Sequence, residues 1–153
     1  MRVRVAVHEE TGGREARRLE RSARRMMKIL LPGERRELSV ALVGEAEMRQ
    51  LNNEFLGRDE PTDVLAFPLG DVNGSEDPIA GWRRRLDPLG DVVICVPLAA
   101  RNALERGTGL SEELELLLAH GLIHLVGGEH ETAPGASRME ALERELLGRS
   151  IIN

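Results

Sequence analysis

The chain has four histidines, and three of them fall in one short stretch, "AHGLIHLVGGEHE", as His120, His124 and His130. Neutral imidazole is the commonest side-chain ligand for transition metals. Two histidines four apart on a helix project from the same face. Gly127 follows three residues after His124. A glycine there lets the backbone enter a left-handed turn and double back, so His130 can return to the same point. Three imidazoles without a fourth protein ligand leave one coordination position open, as a catalytic rather than a structural zinc requires. The expectation is one divalent ion on His120, His124 and His130. Zn²⁺ suits this set, and Ni²⁺, Cu²⁺ and Co²⁺ also accept three imidazoles.

The spacing His-x-x-x-His-x-x-Gly-x-x-His is shared with metzincin proteases, which carry glutamate directly after the first histidine as the general base. Here that position is Gly121, which has no side chain to move a proton. Glu129 and Glu131 are carboxylates nearby, but both follow the hinge. The metal is therefore expected and metzincin-type peptide hydrolysis is not.

The elements that must hold these residues can be read from hydrophobic period. "RVRVAV" (2–7) alternates as a half-buried strand does. From Arg14 to Leu31 the period is helical, with Ala16, Leu19, Ala23, Met26, Met27 and Leu30 on one face and Arg14, Arg17, Arg18, Arg21, Arg25 and Lys28 opposite. A strand is expected at 37–44 and a helix at 45–56, with Met48, Leu51 and Phe55 inward. Strands follow at 62–69 and 90–96, the latter apolar throughout and so central. Pro97 opens a helix to Arg106. Ser111 is the expected N-cap of the next helix, 112–126, which is apolar nearly all round and so buried. A capping box, Ser137 with Glu140, starts the last helix, which ends near Gly148. The result is an α+β fold: one domain over 1–153, about four strands in a mixed sheet, about five helices, and a buried central helix carrying two metal-binding histidines.

Composition narrows the function. Aromatic residues are only 2% of the chain, so the core is aliphatic. The one cysteine, Cys95, rules out an internal disulfide and a cysteine zinc finger, and reads as a buried hydrophobe. No apolar run reaches the roughly 20 residues that cross a bilayer, and the first residues lack a signal-peptide core, so a cytoplasmic protein with no membrane partner is expected. A net charge of -5 gives no global attraction to nucleic acid, so any RNA must meet a local cationic face. The first helix offers one, and "WRRRLD" (82–87) offers another.

Three stretches together resemble one family. "HGLIHLVGGEH" is similar to the histidine signature of the bacterial YbeY family, the endoribonucleases of ribosomal RNA maturation. "NNEFLGRDEPTDVLAFP" (52–68) and "LGDVVIC" (89–95) resemble its two other blocks, in the same order. The resemblance implies metal-dependent cleavage of single-stranded RNA in ribosomal RNA processing and ribosome quality control. It implies His120, His124 and His130 as ligands, and the small ribosomal subunit or its assembly factors as partners. The departures are specific. Gly128 and Glu129 replace an aromatic residue and Asp, and Ala66 replaces a common Ser. Leu56 stands where the family's functional arginine usually stands, and Arg58 is the nearest candidate to replace it. Asp63 and Asp91 either orient the histidines or sit at strand ends. Two other readings compete: a metalloprotease, and a non-catalytic ribosome-assembly protein with a structural metal.

Overall fold

The computed structural model describes residues 2–8, 13–68, 87–127 and 133–148. The elements run β1 (Arg2–Val7), α1 (Gly13–Leu30), β2 (Arg36–Val43), α2 (Glu45–Leu56), β3 (Val64–Pro68), β4 (Asp87–Cys95), α3 (Val96–Arg106), α4 (Leu110–Leu125) and α5 (Ala133–Leu147). The four strands make one mixed sheet in the order β1-β2-β4-β3. β1, β2 and β4 are parallel, and β3 pairs antiparallel to β4 at the edge. The α+β architecture expected from sequence is the one observed.

The period of two sorts each strand onto two faces. Val3, Leu38, Val40, Leu42, Val92 and Ile94 enter the main core with Leu19, Met26 and Met27 of α1 and Leu114, Leu118 and Leu122 of α4. Residues between them, including Val43, Val93 and Cys95, point to the other face, where Met48 of α2 covers them in a smaller cluster. β4 lies between β2 and β3, and its second half is buried on both faces, which is why Val92–Cys95 is apolar without alternation. Cys95 is fully buried, and that burial pushes its thiol above its ordinary range.

Three details differ from expectation. α4 starts at Leu110 on Gly109, which caps without a side chain, so Ser111 lies inside the first turn. α5 starts at Ala133, so the Ser137 box is internal to the helix. Phe55 is 58% exposed. Its ring lies 5.0 Å from that of Phe67 on β3.

Candidate active site

α4 lies directly on β4, and Gly121 is what allows it. A Cβ at Gly121 would stand 2.7 Å from Val92 Cγ1, closer than real Cβ atoms approach anything. Position 121 therefore points at the sheet. This is the physical answer to the missing glutamate: a carboxylate there would drive into Val92, so position 121 cannot supply the metzincin-type base.

With Gly121 against the sheet, His120 and His124 turn to a shared cavity of about 740 Å³. Its floor is the inner face of β3, with Val64, Ala66 and Pro68, and Leu56 at the end of α2 also lines it. Glu140 and Glu143 of α5 supply the polar side. His120 Nε2 stands 2.7 Å from Glu143 Oε1. A carboxylate only accepts, so Nε2–H donates, the ring is fixed, and Nδ1 is the nitrogen left for a metal. Carboxylate partners of this kind orient ligating histidines and raise their basicity. Glu143 was not legible from the histidine motif. Its spacing of three from Glu140 puts both on one face of α5, but nothing in the sequence ties that face to α4.

The expected left-handed turn begins at Gly127. Gly127 has φ +89°, and its N–H donates to the carbonyl of His124 at 3.1 Å. His130, Glu129, Glu131, Gly128 and the 82–86 part of "WRRRLD" lie outside the described residues. Among the described residues no three His, Cys, Asp or Glu side chains form a metal-holding group. The donors that are described still suit a divalent ion: two imidazoles on one cavity wall and a carboxylate bracing one of them.

Arg58 lies on the connection from Leu56 to Val64, both of which line the cavity. Arg58 is itself exposed, outside the described lining, and its side chain has no partner among the described residues. It is Leu56, two residues earlier, that borders the cavity. The connection is pinned. Gly57 turns it at φ +70°. Buried Asn52 donates from Nδ2 to the carbonyl of Glu60 at 2.7 Å. Arg49 grips Asp59 through two hydrogen bonds, of 2.8 and 3.0 Å. That pairing raises the Arg49 pKa and lowers that of Asp59.

The two aspartates divide differently. Asp63 Oδ2 accepts from Asn102 of α3 at 3.2 Å, so it ties β3 to α3. Asp91 follows the alternation of β4 onto the face opposite Val92, so it cannot orient the histidines. It lines an outer groove of about 480 Å³ with Arg4, Ser39, Phe55 and Phe67. Burial there pushes its carboxyl above the usual range, and a hydrogen bond with Ser39 pulls it partly back. His8 ends β1 with Nδ1 2.9 Å from Glu47 Oε2. It lines neither of the two described cavities.

The fold and the sequence both have counterparts among known proteins. The solution structure of TM1509 from Thermotoga maritima matches with a TM-score of 0.59 and 27% identity, covering 96% of this chain and 90% of that one. A Myxococcus xanthus protein named Endoribonuclease YbeY is 46% identical over 113 residues, 73% of this chain and 36% of that protein. Relatives of the same name in Alkalilimnicola ehrlichii and an Anaeromyxobacter species are 43% and 40% identical, over 72% and 95% of this chain. Those matches span 62% and 70% of the respective relatives' own lengths. The sequence model of the family described as Endoribonuclease YbeY matches residues 5–150, and the chain belongs to that family.

Proposed function

We propose that the chain is a metal-dependent endoribonuclease that cuts single-stranded ribosomal RNA during its processing and quality control. It would act in the cytoplasm on or beside the small ribosomal subunit or its assembly factors. Family membership supports the reaction class. One observation carries the metal: among the described lining of the histidine cavity there are two imidazoles and two carboxylates but no lysine or arginine. A phosphodiester would meet repulsion there unless a cation is supplied. His120, His124 and His130 would hold one divalent ion, Zn²⁺ as the first choice. When bound, such an ion polarises a phosphoryl oxygen and lowers the pKa of a water.

The chain's own residues do the rest. Glu143 holds the His120 ring. Val64, Ala66 and Pro68 give a smooth floor against which a nucleotide can lie, in a cavity within the size range of small-ligand sites. Arg58 would reach in from its pinned connection and take two non-bridging oxygens as a planar fork.

The test is incubation of the Zn²⁺-loaded protein with unstructured RNA and, in parallel, with casein. Internal RNA cuts are expected, lost on chelation and in His124→Ala, with casein intact. RNA left whole by the loaded protein, or cut equally by His124→Ala, would overturn the reading.

A further inference from the structure

The whole chain carries a net charge of -5, yet α1 holds seven cations against two glutamates. The structure sorts them. Arg18 donates from Nε to Glu115 Oε1 of α4 at 3.0 Å, Arg24 pairs with Glu20 at 3.0 Å, and Arg25 donates from Nη1 to the carbonyl of Leu146 in α5 at 2.5 Å. The remaining four, Arg14, Arg17, Arg21 and Lys28, are exposed and have no partner among the described residues. At 3.6 residues per turn these four fall within an arc of about 60° and run about 21 Å along the axis. Leu19, Ala23, Met26 and Met27 are buried on the opposite side, so the cationic arc must face water.

Its position relative to the cavity is set by α5. Leu146, which takes Arg25, lies three residues from Glu143, which takes His120. That is about 4.5 Å along the helix. One turn of α5 therefore links the cationic helix to the wall of the histidine cavity. Four like charges on one face of a helix cost stability through mutual repulsion. A polyanion laid along the arc would relieve it.

We propose that this arc of α1 is a track for the phosphate backbone of single-stranded RNA flanking the cleavage point. The inference rests on the nuclease reading and deepens it. The track engages phosphates only, so it adds affinity and leaves sequence preference to the cavity.

The experiment compares the Zn²⁺-loaded protein with Arg14→Gln/Arg17→Gln, Arg21→Gln/Lys28→Gln and the combined quadruple variant. Arg35→Gln, an exposed cation off the helix, is the control. The probe is a fluorescein-labelled oligouridylate, with binding read by anisotropy across salt concentrations and intactness checked by gel. Each lost phosphate contact should flatten the log–log salt slope by about 0.7. Each double variant is thus expected to lose about half of what the quadruple loses, with the control unchanged. The two doubles keep the test decisive if the quadruple fails to fold. Wild-type affinity and slope in the folded variants would overturn the track, as would a parent protein that binds no oligouridylate. In either case the arc is left to a protein partner or to solvent. Failure of the nuclease reading looks different: the parent binds with a slope that the variants flatten, yet cuts nothing.

Discussion

His120 Nε2 and Glu143 Oε1 lie 2.7 Å apart, joining the central helix to the last helix at the cavity wall. The two residues are 23 positions apart in sequence and belong to different elements. The contact gives one imidazole a defined orientation and sets a negative charge beside the proposed ion. Glu143→Gln keeps the shape and removes the charge. Loss of such a partner typically costs tenfold to a hundredfold in metal affinity, and that is the expected result in a competition titration with a chromophoric chelator. Unchanged affinity would reduce Glu143 to a packing residue.

The central helix should also report its contact with the sheet. Alanine is normally worth about 1 kcal/mol more than glycine inside a helix. At position 121 the added methyl meets Val92 at 2.7 Å. Overpacking of this kind costs about 1–3 kcal/mol, so Gly121→Ala should be less stable than the parent in denaturant. Adding Val92→Ala should recover more than the two single changes predict. A stable Gly121→Ala protein would mean that the helix can lift off β4 freely.

A metal that serves catalysis leaves the fold standing when it is removed, whereas a structural metal takes the fold with it. The buried core of Leu19, Met26, Leu38, Leu42, Ile94, Leu118 and Leu122 is complete without the histidines. Stripping the metal should therefore leave the far-ultraviolet circular dichroism unchanged and abolish RNA cleavage. Collapse of the spectrum would favour the assembly-protein reading.

Much of this was legible because it is local. Strand alternation, the helical period of α1 and the positive φ of Gly127 each depend on residues close in sequence, and each is observed. The histidine pair was legible for the same reason. What sequence could not supply is which distant elements meet. Glu143 reaches His120 only because α5 packs on α4. Asp91 leaves the histidines only because β4 presents Val92 to the helix. Phe55 fits a helical stripe, yet it lies at the end of α2 against Phe67 and the ring remains more than half in water.

The family's usual arginine position is Leu56 here, and Leu56 borders the cavity while Arg58 stands outside its described lining. If Arg58 stabilises the phosphate, Arg58→Ala should slow RNA cleavage by about a hundredfold with metal content unchanged. Leu56→Arg should then restore cleavage in the Arg58→Ala background. A single Arg58→Ala variant with parental kinetics would make Arg58 a bystander, and a double variant without recovery would mean that position 56 cannot reach the phosphate.

The outer groove carries its own pH signature. Asp91 sits among Phe55, Phe67 and Val93, with Ser39 as its hydrogen-bond partner, and burial raises its carboxyl above the ordinary value. A carboxyl with a raised pKa binds more protons in the folded than in the unfolded chain across the window between the two values. Its contribution to stability is then fully present below the unfolded value, about 3.9, and is lost as pH rises through the raised folded value. Asp91→Asn removes the charge and keeps the shape and an acceptor for Ser39. The variant should melt at a higher temperature than the parent at neutral pH, and the gap should close as the pH is taken below the ordinary carboxyl range. Melting curves of both proteins from neutral to acid pH measure it. A gap that stays constant with pH, or a parent that gains on the variant as pH rises, would mean that the Asp91 charge is stabilised in the groove rather than strained by it.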